Sequence, residues 1–256
     1  RIPLLDAGLQ LNLLRFERVN GRWTGDLSAD LEPLSMPELT QALGWPRMAG
    51  SVGASVPHVR WRGGVLSLDG QLMIQVFGGY IAASGLQVIE PFDTTPRVLS
   101  DLQMRYVDLD ALTETFKFGR ITGRLDGDVT GLELSRWAPV AFDARVRSSE
   151  GDYPRSISQR AVDSITALGG SGATAAIQRT FLGVFERFGY RRIGVSCRLR
   201  NGVCEMDGLS NRNGGFVLIE GGGVPALSVV GYNRRVDWQV LLERLARVTE
   251  TKPVLQ

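Results

Sequence analysis

Histidine is nearly absent from this sequence of 256 residues. The single one, His58, sits between Pro57 and Val59 where a strand is expected to begin. It has no second imidazole with which to share a metal. A Ser-His-Asp triad would have to use it, yet no Gly-x-Ser-x-Gly elbow exists. Lysine is almost missing too, with only Lys117 and Lys252 among 29 basic residues. Against 27 acidic residues the net charge is +2, too balanced for a dedicated nucleic-acid binder. Pairs such as Arg191-Arg192 and Arg234-Arg235 read as solvated surface. No apolar run approaches the roughly 18 residues that a bilayer-crossing helix needs. A starting methionine and an apolar signal segment are also lacking, so the chain reads as an excerpt whose anchor or address lies outside it. Gly169-Gly170-Ser171-Gly172 lacks the Gly-Lys-Ser/Thr ending of a phosphate loop and reads as a linker between helices.

What is present is alternation. Hydrophobic residues make up 43% of the chain, with 31 glycines and 11 prolines, the balance of a folded, sheet-rich protein. From Gly119 to Gly131, Ile121, Gly123, Leu125, Gly127 and Val129 share one face, while Arg120, Thr122, Arg124, Asp126 and Asp128 take the other. Extended over its whole length, that run would reach roughly 43 Å, whereas strands average about five or six residues. From Gly64 to Gly78, Leu66, Leu68, Leu72, Ile74 and Val76 repeat the pattern. Tight turns at Asp69-Gly70 or Asp126-Gly127 would set Leu68 opposite Gln71 and Leu125 opposite Asp128. The faces would not match, so each run is read as continuous. Asp126 and Asp128 stand about 7 Å apart on the polar face, and solvation rather than acid-base work is the expectation.

Further strands are expected around Leu9, Leu11 and Leu13, turning at Asn20-Gly21 into a partner carrying Trp23, Leu27 and Leu31. More follow through Val52, Val56, Val59 and Trp61, through Leu102, Met104 and Tyr106, and through Val140, Phe142, Ala144 and Val146. Phe216–Glu220 and Leu227–Tyr232 complete the set. Ser35 and Glu38 form the spacing of a capping box for a short helix ended by Gly44 and Pro46, and Asp108 precedes a brief helix over 109–116. Spacings of three and four place Ile157, Ala161, Ile165 and Leu168 on one helix, and Ile177, Phe181, Val184, Phe185 and Phe188 on a second. Asp237 is placed to cap a last helix with Val240, Leu241, Leu245 and Val248 on its apolar side.

Cys197 and Cys204 flank Asn201-Gly202 in a hairpin. A two-residue turn opposes Leu199 with Cys204 and leaves the cysteines diagonal. A shifted loop opposes them directly, and only that register makes a bridge easy. A disulfide is expected in an oxidising compartment, with two buried thiols as the alternative.

The strings Phe118–Gly127, Trp137–Ala144 and Ile157–Ala161 resemble the C-terminal part of AsmA-like proteins of the YdbH type. So do Cys197-Arg198-Leu199, Gly202-Val203-Cys204, Met206-Asp207-Gly208 and Gly231–Trp238. The likeness covers residues 64–245, and the first sixty more loosely. It implies a Gram-negative envelope protein fixed in the inner membrane by an N-terminal segment preceding this chain. It also implies a periplasmic, U-folded β-sheet whose apolar inside carries phospholipids toward the outer membrane. A small outer-membrane lipoprotein is the implied partner at the C-terminal sheet edge. The family has also carried a dicarboxylate-transport label, which nothing in these residues supports. The chain departs from the family in ending soon after Val248, so a tail finishing that edge is expected to lie outside it.

The resulting expectation is a mainly β protein: a long, curved, mostly antiparallel amphipathic sheet, β-taco-like, with a two-helix insert and a C-terminal helix. Residues 1–155 would form a β-groove, 156–190 the helical insert, and 191–256 a hairpin, strands and helix completing the groove. Leu66, Leu68, Leu72, Ile74, Val76, Ile121, Leu125, Val129, Val140, Phe142 and Val146 would line it. Two sixteen-carbon tails exposed to water would cost on the order of 25 kcal/mol, so a carrier must shield them and needs no catalytic residue, metal or cofactor. An assembly scaffold acting through sheet edges is the alternative. An outer-membrane barrel fits less well, because 8% aromatic residues form no paired girdles.

Overall fold

Alternation along the sequence becomes long strands in the computed structural model, which describes residues 2–19, 22–169 and 185–249. The described strands belong to one large antiparallel sheet that is open rather than closed. Two compact units divide the chain: Arg1–Arg105 with Asp128–Phe142, and Tyr106–Gly127 with Asp143–Gln256.

The first unit is a meander. It begins with β1 (Ile2–Leu4), β2 (Ala7–Val19), β3 (Arg22–Ser35), β4 (Gly50–Arg62), β5 (Val65–Val76) and β6 (Gly79–Ile89). It continues through most of β7 (Arg97–Asp108), each strand antiparallel to the one before. Gly63-Gly64 and Phe77-Gly78 make two-residue turns with positive φ at both positions, the geometry whose twist suits hairpins. As expected, Asp69-Gly70 lies inside β5 and makes no turn. β9 (Arg124–Ser135) lies beside β7, and in this unit Arg97 pairs with Glu133 at 2.7 Å, Arg105 with Asp128 at 2.6 Å, and Asp101 accepts from the Gly131 N–H. Helix α1 (Met36–Ala42) buries Met36 and Thr40. The expected capping box does not form: Ser35 makes no side-chain cap, and its N–H donates to Asp6 instead.

The second unit holds α2 (Leu109–Thr115), β8 (Ile121–Thr122), β11 (Ser156–Ser158), α3 (Gln159–Gly169) and β12 (Arg187–Arg200). After them come β13 (Val203–Gly208), β14 (Asn211–Arg212), β15 (Gly215–Gly221), β16 (Val229–Gly231), β17 (Arg235–Asp237) and α4 (Trp238–Thr249). β10 (Ala138–Ser148), like β7 and β9, contributes to both units. Asp108 caps α2 by accepting from the Asp110 and Ala111 N–H groups. Asp126-Gly127 stays inside β9, but Gly123 separates β8 from β9 where one continuous strand was expected.

Ile157 was expected on a helix and instead sits in β11, paired with Ile121 and Phe188. Phe188 belongs to β12 rather than to a second helix. It alternates with Tyr190, both buried, so a period of two prevails once β11 offers a pairing edge. Phe185, too, lies outside any helix, and Ile177, Phe181 and Val184 fall outside the described residues. α4 begins where expected, with Asp237 accepting from the Val240 N–H, but buries no residue: Val240 and Leu245 are exposed.

The cysteine hairpin takes the two-residue register, Leu199 opposite Cys204 and Cys197 opposite Met206. The cysteines are nevertheless bridged, with Cα atoms 5.5 Å apart, inside the usual disulfide range. The register judged unfavourable therefore carries the bond, because the right-handed twist of a strand pair draws one diagonal together.

Candidate functional site

The register of the first unit lines up apolar side chains across its strands. One row runs Phe16–Gly25–Trp61–Leu66–Val88–Val98, a second Leu14–Leu27–Val59–Leu68, and a third Leu34–Val52–Ile74–Ile81–Met104. Leu72, Ala83 and Leu102 form a shorter row between them. Direct cross-strand partners project to the same face, so these rows make one apolar surface.

Each of β2, β3, β4 and β6 changes the parity of its apolar residues partway along, and each change coincides with a register shift: Leu11/Leu13, Leu31/Leu34, Ser55/His58 and Ser84/Gln87. An extra residue on one strand offsets the alternation. Consequently Leu14 and Phe16, not Leu13, continue the apolar face of β2, and Leu13 does not belong to it. A similar effect operates on β7, where Tyr106 takes positive φ and is exposed while Val107 is buried. Unbroken alternation misses both, although Leu14 and Phe16 are visible in the sequence as apolar residues out of phase.

This face is only partly covered. α1 lies against β3 and β4, where Leu34 and Val52 are buried. Leu66, Leu68, Leu72, Ile74, Ile81, Leu102 and Met104 are half-buried. Leu14 is 57% exposed and Phe16 59%. The Phe16 ring lies over Gly25, so close that a Cβ there would sit 2.5 Å from it. The opposite face is polar: Asn12 donates to Asp30, His58 approaches Asp26 at 3.2 Å and Arg60 pairs with Asp69 at 2.6 Å.

Of the eleven residues expected to line a groove, the five on β5 lie on this face, with Val76 buried at its end. Val129 is half-buried, Val140 exposed and Phe142 buried in the same unit. Ile121, Leu125 and Val146 belong to the second unit, where Ile121 packs in the Ile121–Ile157–Phe188 row. Leu125 is buried and Val146 half-buried.

The second unit carries a half-open apolar pocket of about 210 Å³ among α3, α4, β12, β13, β15 and β16, lined by residues including Ile165, Leu168, Ile193, Val195, Met206 and Leu241. The carbonyls at the end of α3 above it are satisfied, Gly169 accepting from Asn233 and Leu168 from Arg244. A second, polar cavity of about 730 Å³ is lined by Arg147, Arg155, Arg191 and Arg192, with Ser148, Ser149, Asp126 and Glu150. Ile193 borders both.

Asp126 and Asp128 do not act as a carboxylate pair. Asp126 accepts from Ser149 Oγ at 2.7 Å and the Tyr106 N–H at 2.9 Å, whereas Asp128 is held by Arg105. Both accept hydrogen bonds on the polar face, and the Asp128 side chain stays 41% exposed, in keeping with the solvated face expected. Among the described residues no group of three metal-ligating side chains exists, and no helix is long and apolar enough to cross a membrane. No family model, no curated protein and no solved structure matches this chain.

Proposed function

We propose that this chain is the periplasmic segment of an envelope protein, of the AsmA-like, YdbH-type kind its sequence resembles. In this reading it shields phospholipid acyl chains for transfer between the inner and outer membranes. The observation that carries the reading is the apolar face of β2–β7, aligned over six strands and left partly open at Leu14 and Phe16. Apolar area kept from water contributes about 25 cal/mol per Å², so such a face favours acyl chains along its length while headgroups stay in solvent. The register shifts support a curved groove, since bulges bend strands. The Cys197–Cys204 bridge accords with an oxidising compartment such as the periplasm. An inner-membrane anchor preceding the chain and a small outer-membrane lipoprotein at the C-terminal edge complete the proposal.

The test is native mass spectrometry with lipid extraction on the chain purified from a Gram-negative periplasm without detergent. Phospholipid should co-purify and be lost on Leu14→Asp or Leu68→Asp, while Arg60→Ala on the polar face leaves it in place. A folded, monodisperse sample free of lipid would overturn the proposal and favour a scaffold working through sheet edges.

A further inference from the structure

β2 runs along an edge of the first unit. β1 pairs with it only from Ala7 to Leu9, and beyond Leu9 the one described strand in its ladder is β3. Every residue from Gln10 to Arg18 is exposed, including Leu11, Leu13, Leu14 and Phe16. A long edge strand with apolar side chains and no proline is a template for another strand. Between the register shift at Leu11/Leu13 and its end, β2 is regular from Leu13 to Val19, with Phe16 at the midpoint.

The charges on this stretch select what can pair with it. Arg15 and Glu17 flank Phe16 and bond to each other on the polar side, Nε of Arg15 donating to Glu17 at 2.6 Å. An identical strand laid antiparallel about Phe16 uses the whole regular stretch and sets Arg15 opposite Glu17 on each side of the axis. Each of the four charges then has the opposite sign both along its own strand and across the pair. A register centred on Arg15 or on Glu17 would instead oppose like charges, which is destabilising. Direct partners project to the same face, so Phe16 meets its counterpart and the apolar face continues from one copy into the other. Closure about a two-fold axis leaves no free β2 edge.

We infer that β2 is a dimer interface: a second copy of this chain pairs antiparallel along Leu13–Val19, with Phe16 on the two-fold axis. The inference concerns the sheet edge and holds whether or not the apolar face carries lipid.

Sedimentation of the full chain over a hundredfold range of concentration tests it. The mass should approach twice the 28.0 kDa of one chain, and the Phe16 amide should exchange more slowly at high concentration than at low. Arg15→Glu and Glu17→Arg each oppose like charges across the axis, and each should raise the dissociation constant about tenfold. Arg15→Glu combined with Glu17→Arg restores opposite signs and should recover the dimer, with unchanged circular dichroism establishing that the variants fold. A monomer throughout the range, including one whose Phe16 amide is already protected by its own chain, would overturn the inference. So would a dimer indifferent to both single variants, or a double variant no tighter than either. Arg15→Glu should leave co-purified phospholipid in place, so the dimer and the lipid reading can fail separately.

Discussion

Gly123 and Tyr190 constrain each other. The Tyr190 hydroxyl donates to the Thr122 carbonyl at 2.6 Å, and a Cβ on Gly123 would lie 2.3 Å from that hydroxyl, at a φ of +131°. Gly123→Ala should therefore destabilise the protein by about 1–3 kcal/mol, read as a lower urea midpoint. Burial pushes the Tyr190 hydroxyl above its ordinary 10.0, with Tyr153 adding to the effect and Arg155 opposing it. The folded chain thus keeps a proton that the unfolded chain releases. Stability from this group is intact below about pH 10 and declines as pH rises further, by up to about 1.4 kcal/mol per pH unit. Tyr190→Phe should cost about 1 kcal/mol at neutral pH through the lost hydrogen bond and flatten the alkaline limb of the stability curve. An unchanged limb would place the alkaline sensitivity elsewhere.

At the scale of elements, the β12–β13 hairpin joins three devices: the Asn201-Gly202 turn, the Leu199–Cys204 register and the Cys197–Cys204 bridge. The bridge closes a short loop, with a sequence separation of 7, so its loss should cost about 2–3 kcal/mol. Thiol titration of unreduced, unfolded protein should find no free thiol, and reduction should lower the melting temperature. The turn is legible in the sequence because Asn-Gly favours positive φ at both positions. That a diagonal pair could bridge is not, because it depends on the twist of the pair. β12 shows the same limit: Phe188 fits a helical stripe until Ile157 on β11 supplies a pairing partner.

For the whole molecule, the consequential feature is an apolar face whose first strand is the least covered. Leu14 and Phe16 already face solvent, so Leu14→Asp should change stability by no more than about 0.5 kcal/mol. It should nevertheless reduce binding of an environment-sensitive apolar dye to the folded chain, and added phospholipid should displace the dye from the unaltered protein. Dye binding indifferent to Leu14→Asp would mean that this face is not the accessible apolar surface.

Local alternation by itself determined the β class, the continuity of β5 through Asp69-Gly70, the caps at Asp108 and Asp237, and the face carrying Leu66, Leu68, Leu72, Ile74 and Val76. These follow from side-chain period and turn chemistry, which neighbours along the chain settle. Only the tertiary structure decided which apolar residues are enclosed and which remain open. A bulge shifts parity on Leu14 and Phe16, a pairing edge converts Phe188 from helix to strand, and the Ile121–Ile157–Phe188 row encloses one residue assigned to the groove. Burial and register are properties of pairs distant in sequence, and the alternation of a single strand does not contain them.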